Sequence, residues 1–244
     1  MNVVVIGESC IDKFVYCKTN RICPEAPVPV INPINTISNP GMASNTIANV
    51  KKLYPDAEVN LITQNENITK TRFVEKKSNQ MFVRLDEGED IIDPLKWDQE
   101  LVEQIHNADV VIVSDYNKGL LSNKDILMIG DISKLSILDS KRKLNNEMVS
   151  HFHFIKLNEY EFENNRNLNH KGIITTLGSK GAMYGGTLYP SPKPQETIDV
   201  SGAGDTFTAS FITKYFETKS DHKSIKFANE MASKVVSKRG VVTP

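Results

Sequence analysis

The amino-acid sequence predicts an α/β fold: a mostly parallel central sheet with helices on both faces, plus a small β-sheet lid. Three observations carry this. Short apolar runs rich in β-branched or aromatic residues recur at 3–6, 59–62, 110–113, 136–138, 152–155 and 173–176. Helix-like stretches stand between them, at 101–106, 125–129 and 159–164, and after Ser44 and Ser201. This alternation is the pattern of parallel strands joined by helical crossovers. The third observation is that two segments break the rhythm. Residues 14–38 have no helical period and carry prolines at 24, 27, 29 and 33, and residues 72–86 read as two strands joined at Lys77-Ser78-Asn79. Both are long for loops of a compact domain. They are expected to pair into a sheet outside the main layer, with lid segments near 13–38 and 72–86, that shields an active site from water. The alternative is a pair of surface loops.

Each element can be justified in turn. Met1-Asn2-Val3-Val4-Val5-Ile6-Gly7 has no basic residues before its apolar run, so it reads as a buried first strand and not as a signal peptide. The 244 residues fit a single domain, 1–244, and are too few for two full catalytic domains. Hydrophobic residues make up 39% and charged residues 24%, ordinary for a soluble globular protein. A net charge of −1 offers no basic footprint for nucleic acid and no polybasic membrane patch. No apolar run has the length of a membrane span, so a cytoplasmic location is expected. The three cysteines, Cys10, Cys17 and Cys23, are an odd number without zinc-knuckle spacing and read as reduced, partly buried thiols. His151 and His153 alternate on a presumptive strand leading to Lys156 and read as sheet residues, not ligands.

The strongest chemical signal is Asp199-Val200-Ser201-Gly202-Ala203-Gly204-Asp205-Thr206-Phe207. Small residues at 201–204 let backbone approach a ligand closely. A helix opening directly after such a turn presents free N–H groups and the positive end of its dipole to an anion. That suits a transferring phosphoryl group, and Asp205 in the first turn is placed to take the proton of an attacking hydroxyl. Read alone, the segment is also compatible with an acidic helix start after a glycine turn.

The same stretch resembles the C-terminal signature of the ribokinase-like (PfkB) carbohydrate kinases, and further resemblances follow in that family's order. Gly7 with Asp12 resembles the first strand and the acidic residue that grips sugar hydroxyls. Gly41-Met42-Ala43-Ser44-Asn45 resembles the Gly-Gly-x-x-Asn element, making Gly41 and Asn45 sugar-site candidates. Asn158-Glu159-Tyr160-Glu161 matches the Asn-x-x-Glu element, which implies that Asn158 and Glu161 support Mg²⁺ and phosphate, partly through water. Gly178-Ser179-Lys180-Gly181 resembles the nucleotide-side turn, and Asn229 falls where the family lines its adenine pocket. The resemblance implies a ribokinase-like fold, ATP and Mg²⁺ as cofactors, and a homodimer paired through the lid.

A closer resemblance is to the D-glycero-D-manno-heptose 7-phosphate kinases, the kinase half of bifunctional ADP-heptose synthases. It rests on Arg21-Ile22-Cys23-Pro24-Glu25-Ala26-Pro27-Val28-Pro29-Val30, Thr69-Lys70-Thr71-Arg72, Arg84-Leu85-Asp86, Ser114-Asp115-Tyr116-Asn117-Lys118-Gly119 and Val235-Val236-Ser237-Lys238-Arg239-Gly240. It implies phosphorylation of O1 of a heptose 7-phosphate. Arg21, Arg72, Arg84, Lys118 and Lys141 then become candidates for the distal phosphate, with Asp115 also in the substrate set.

The chain departs from the pattern at Met42, which replaces a glycine, and at Ser140 and Leu157, where prolines are usual. It also passes from Thr63-Gln64 to Thr69-Lys70 where about one helix–strand unit is expected, so an edge strand would be missing. No nucleotidyltransferase domain is expected after Pro244, so ADP-heptose synthesis is expected to need a separate enzyme. The alternatives are a kinase for another sugar, sugar phosphate or nucleoside, and a binding protein that kept the fold without turnover.

Overall fold

The computed structural model describes residues 1–192, 200–237 and 243–244. Asp199, which opens the glycine-rich segment, and Lys238, Arg239 and Gly240 of the last resemblance lie outside the described residues. The chain runs β1 (Asn2–Ile6), β2 (Ser9–Ile22), β3 (Pro29–Met42), α1 (Ala43–Leu53), β4 (Glu58–Ile62), β5 (Thr69–Glu75) and β6 (Met81–Glu87). It continues through α2 (Gln99–Asn107), β7 (Val110–Asp115), α3 (Asn123–Ile132), β8 (Ser136–Ser140), α4 (Asn146–Val149), β9 (Phe154–Asn158) and α5 (Glu159–Asn164). The last elements are β10 (Ile173–Thr176), β11 (Ala182–Tyr184), β12 (Thr187–Tyr189), α6 (Ala203–Thr218) and α7 (Asp221–Val236).

The main sheet has eight strands in the order β12-β11-β10-β9-β8-β7-β1-β4. β4, β1, β7, β8, β9 and β10 are mutually parallel, and β11 and β12 add an antiparallel edge. Strands buried on both faces should be continuous apolar runs, and β1 obeys this: Val3, Val4, Val5 and Ile6 are all fully buried. The period of two then sorts its residues between two cores. Val4 and Ile6 join Val111, Val113 and Leu138 under α2 and α3. Val3 and Val5 join Val110, Ile112 and Phe211 under α1, α6 and α7. The helices start where capping predicts: Asp98 accepts from Leu101 N–H, and Ser122 with Asp125 forms a reciprocal capping box.

The strand expected over 152–155 begins only at Phe154, and the two histidines precede it. His153 Nδ1 accepts from Ser136 N–H at 3.2 Å, so it caps the start of β8, and His151 Nδ1 lies 3.0 Å from Asp131. Their alternation in sequence therefore reflects a turn held by side-chain bonds and not a pleated strand. Cys10 and Cys17 are buried, Cys23 is half-buried, and all three are free thiols.

The two segments that broke the helical rhythm form a second sheet in the order β3-β2-β5-β6. β2 pairs antiparallel with β3 and parallel with β5, and β5 pairs antiparallel with β6. Pro29, Pro33 and Pro40 all lie in β3, an edge strand, where a missing N–H breaks no ladder. The β5–β6 turn is closed by the Glu75 carboxylate, which accepts from the N–H groups of Lys77 and Ser78. β4 ends the main sheet, and residues 63–68 lead directly from it into β5. Gly7 lets β1 turn into β2 hard against β7: a Cβ there would sit 1.9 Å from the Ser114 carbonyl oxygen. The second sheet is thereby joined to the C-terminal edge of the main one, where ligands of parallel sheets bind.

Candidate active site

Gly202 has the left-handed φ of 78°, which turns the chain so that Ala203, Gly204 and Asp205 open α6. Asp205 is only 7% exposed. A carboxylate so far from water needs donors, and two arrive from distant elements. Asn45 of α1 donates Nδ2–H to one oxygen at 2.8 Å, and the Tyr116 hydroxyl donates to the other at 2.9 Å. Burial pushes the Asp205 carboxyl up to about 6; Asn45, Lys156 and Tyr116 oppose that rise, while the Asp139 carboxylate adds to it. Asn45 is itself fixed by Asn49 of α1, whose Oδ1 accepts from Thr206 of α6 at 2.8 Å. A polar network thus registers α1 against the first turn of α6.

Behind that turn lies a buried ion pair. Lys156 of β9 donates to Asp139 of β8 at 2.9 Å, and Thr208 of α6 donates to the same carboxylate oxygen at 3.0 Å. Burial alone would raise the Asp139 carboxyl, but the Lys156 and Lys141 ammoniums hold it below its usual range. A Cβ on Gly204 would come within 3.0 Å of Lys156 Nζ, so the glycine lets a cation lie directly against the helix opening. Two cationic features, the ammonium and the α6 N-terminus, therefore face one spot.

In front of the turn is a cleft of about 880 Å³ lined by Asn158, Gly178, Gly181, Gly202, Ala203, Gly204, Asp205 and Asn229, with Lys141, Lys156 and Tyr116. Asn158 caps α5 and forms a reciprocal box with Glu161: each side chain accepts from the other residue's N–H at 2.8 Å. The second Glu161 oxygen accepts from Lys141. Asn229 of α7 donates to the Tyr189 carbonyl at 2.9 Å. Gly181 has φ 104° and faces the Tyr189 carbonyl so closely that a Cβ would lie 2.1 Å from its oxygen. Lys180 is exposed and does not line this cleft.

The other side of Asp205 is walled by the second sheet. Asp12 is 5% exposed and ion-paired with Arg72, whose guanidinium also lies over the Phe14 ring at 5.1 Å. A Cβ on Gly41 would sit 2.3 Å from Asp12 Oδ2, so only glycine lets β3 pass over this carboxylate. Met42 keeps a glycine-like φ of 56° while its side chain turns into a buried cluster with Cys10 and Ile68. A left-handed methionine costs on the order of 1–3 kcal/mol, which its burial offsets. The side chain therefore packs inward and does not project into the site.

The remaining candidates sit elsewhere. Asp115 is fully engaged by Arg142, which donates to both its oxygens at 2.6 and 2.8 Å, and by Ser140. Arg84 is paired with Asp86 on its own strand. Arg21 is exposed at the outer end of β2, nine residues beyond Asp12 or roughly 30 Å along an extended strand, so one chain does not bring it to Asp205. Lys118 pairs with Glu89. Sequence reasoning passed over Tyr116, Asp139 and Lys156 as site residues, and also the fully buried Glu8, which accepts from the N–H groups of Tyr116, Lys118 and Leu120 and so fixes that loop. The available signal was a lone charged residue in each of two short buried strands, Ser-Ile-Leu-Asp-Ser and Phe-Ile-Lys-Leu-Asn.

Residues 56–244 match the pfkB family carbohydrate kinases. The chain belongs to that family. This kinase is 31% identical to the bifunctional protein HldE of Helicobacter pylori (strain J99) and 26% identical to HldE of Photorhabdus laumondii. The alignments cover 98% and 99% of the chain but 63% and 61% of those proteins. The chain thus spans somewhat under two thirds of the relatives it matches. The first alignment runs over 297 positions, more than the 244 residues of the kinase, so the relative carries additional residues within the matched region. The fold is that of a ribokinase from Thermotoga maritima (TM-score 0.74, 18% identity, 98% of this chain and 94% of that one). It is equally that of an Arabidopsis thaliana ribokinase solved with ribose and ATP (TM-score 0.71, 18% identity, 98% and 93%).

The raised carboxyl has a consequence for stability. A folded-state value of about 6 against an ordinary 3.8 means that folding favours protonated Asp205. Its contribution is present below about pH 4 and is lost as pH rises towards 6, a swing of about 3 kcal/mol. Asp205→Asn should therefore unfold at higher urea than the parent at pH 8 and show a smaller difference at pH 4. Equal shifts at both pH values would contradict the buried-carboxyl account.

Proposed function

We propose that this carbohydrate kinase transfers the γ-phosphoryl group of ATP to a sugar hydroxyl, with Asp205 as the base. The observation that carries the reading is the Asp205 carboxylate, buried at the helix opening between the Lys156-backed turn and the wall formed by Asp12, Gly41 and Asn45. An acceptor on the Asp12 side would meet a phosphoryl group on the cleft side across this carboxylate. Fixed N–H groups at 202–204 and the Lys156 ammonium suit the charge on the transferring group. ATP use is supported by the family and by a cleft that holds Asn158, Gly178, Gly181 and Asn229 together.

The donor set suits a divalent ion that keeps its waters. Both Glu161 oxygens are already engaged, by Lys141 and by the Asn158 N–H, so Asn158 and Glu161 would reach Mg²⁺ through water. Bound there with the nucleotide, Mg²⁺ would neutralise phosphate charge.

The finer reading is that the acceptor is a heptose 7-phosphate phosphorylated at O1, a step towards ADP-heptose, in the cytoplasm. It is supported by the decapeptide from Arg21 and by the HldE relatives. Among the described residues no helix is long and apolar enough to cross a membrane. The second sheet would serve as lid, and its outer face as the contact between two copies. Register puts Ile11, Val15, Phe73, Val83 and Leu85 on one face, and Ile11, Val83 and Leu85 are 42%, 51% and 47% exposed. Contiguous exposed apolar surface on a sheet favours pairing.

ADP release should be measured with Mg²⁺ and with EDTA against heptose 7-phosphate, free heptose, ribose, fructose and a nucleoside. The reading expects Mg²⁺-dependent turnover on a sugar, fastest with heptose 7-phosphate, and a fall in kcat of about 10²–10⁴ in Asp205→Asn. Near-normal turnover in that variant would remove Asp205 as the base, and no turnover on any acceptor would favour a binding protein. Light scattering at micromolar concentration should give the mass of two chains, which Val83→Asp reduces to one; a monomeric parent would refute lid pairing.

A further inference from the structure

Cys10, Met42, Ile68 and Ile92 close the joint between the two sheets. Cys10 is near the start of β2, Met42 is the last residue of β3, Ile68 comes directly before β5, and Ile92 lies on the chain leaving β6. Cys10, Met42 and Ile68 form one buried cluster, and Ile92 and Tyr116 pack against it. Each strand of the second sheet thus sends one residue from its end to the same place, and the Tyr116 ring lies there with them.

Tyr116 is also the residue whose hydroxyl donates to Asp205 at 2.9 Å. Burial, then the Asp205 and Asp139 charges, push that hydroxyl well above the usual tyrosine range, so it stays protonated and remains a donor. Glu8 fixes the Tyr116 backbone through its N–H, which leaves the ring to be set by what it packs against. Lys141 Nζ lies over the ring, 5.7 Å from its centroid, and the cluster supplies the apolar support.

Within the cluster, Met42 is the strained member. Its φ of 56° is at ease in glycine and strained under a side chain. Glycine would relieve the strain but would also remove a side chain that is only 3% exposed. The same residue is the N-cap of α1, three residues ahead of Asn45, the other donor to Asp205. Its backbone opens the helix that carries one donor while its side chain packs with the other.

We propose that Met42 is a positioning residue for phosphoryl transfer: its side chain holds the Tyr116 ring where the hydroxyl meets Asp205, and so ties the joint of the second sheet to the base. This rests on the reading of Asp205 as the base. A shift of the second sheet at its joint then reaches Asp205 through one ring.

The test is a ¹³C carboxyl titration of Met42→Ala, Met42→Gly and Met42→Leu in the nucleotide-free kinase, each alone and combined with Tyr116→Phe. Besides Tyr116 and Asn45, the groups acting around Asp205 are Asp139, Lys156 and Lys141, which no variant alters, and Cys10, which stays neutral because burial pushes its thiol up to about 12. A donor to the carboxylate lowers its titration, so losing the donor raises it. Met42→Ala and Met42→Gly should both move the Asp205 midpoint up by about 1 pH unit, and Met42→Leu should leave it in place. With Tyr116→Phe present, none of the three should move it further, because the donor through which Met42 acts is gone. In turnover, kcat/KM for a sugar acceptor in Met42→Ala should fall about 5-fold at pH 6 and recover by pH 8, because a higher midpoint leaves less ionised base only in the acid range. A midpoint unchanged in Met42→Ala, or one that rises as much with Tyr116→Phe as without it, overturns the proposal. A rise that Met42→Gly does not share assigns the effect to the strained backbone and overturns it as well. If Asp205→Asn turns over normally the base reading fails, and the titration still decides whether Met42 sets Tyr116.

Discussion

The structure is organised around a carboxylate placed where its charge is least welcome. Asp205 sits in the first turn of α6, removed from water, and its two hydrogen-bond donors come from α1 and from the loop after β7. Each donor has its own support. Asn45 is set by Asn49 and through it by Thr206. Tyr116 is set by Glu8, whose carboxylate gathers the N–H groups of the 116–120 loop. The end of β1, the start of α1, the end of β7 and the start of α6 are thus constrained to meet at one point. A carboxyl raised to about 6 by burial lies in the range useful for proton transfer, which is what the proposed base role of Asp205 requires.

Charge around this point is arranged in layers. Behind the helix opening, Asp139 neutralises Lys156 enough to make the buried ammonium tolerable without removing its field from the turn. In the cleft, Glu161 does the same for Lys141 while capping α5. On the side of the second sheet, Asp12 holds Arg72 and Glu89 holds two lysines. The two cations that line the cleft, Lys141 and Lys156, are thus each paired with a carboxylate.

Much of the architecture was legible because it follows from local rules. Val3 to Ile6 could only be a strand buried on both faces, and prolines at 29 and 33 confined their segment to the edge of a sheet. The Gly202–Asp205 turn announced a helix opening onto an anion. The sequence was silent wherever function depends on pairs far apart in the chain. Asn45 and Asp205 are 160 residues apart, so the bond between them has no local signature. Asp139 and Lys156 were read as parts of strands, because period-two patterning reports which face a residue occupies and not what it touches. In the second sheet charge alone does not say which partner a cation meets. Arg21 and Arg84 look alike in sequence, yet register sends one to the outer end of β2 and the other pairs with Asp86 on its own strand.

The central claim is that one buried aspartate titrates near 6 because burial raises its carboxyl further than the donors from two distant elements lower it. The most direct measurement is a ¹³C NMR titration of the aspartate side-chain carboxyls in the nucleotide-free kinase. The account predicts one resonance with its midpoint near 6, absent from Asp205→Asn and moved to higher pH when the Tyr116 donor is removed by Tyr116→Phe. If every aspartate carboxyl titrates in the ordinary range near 4 in the folded protein, the buried carboxylate and the network built around it are contradicted.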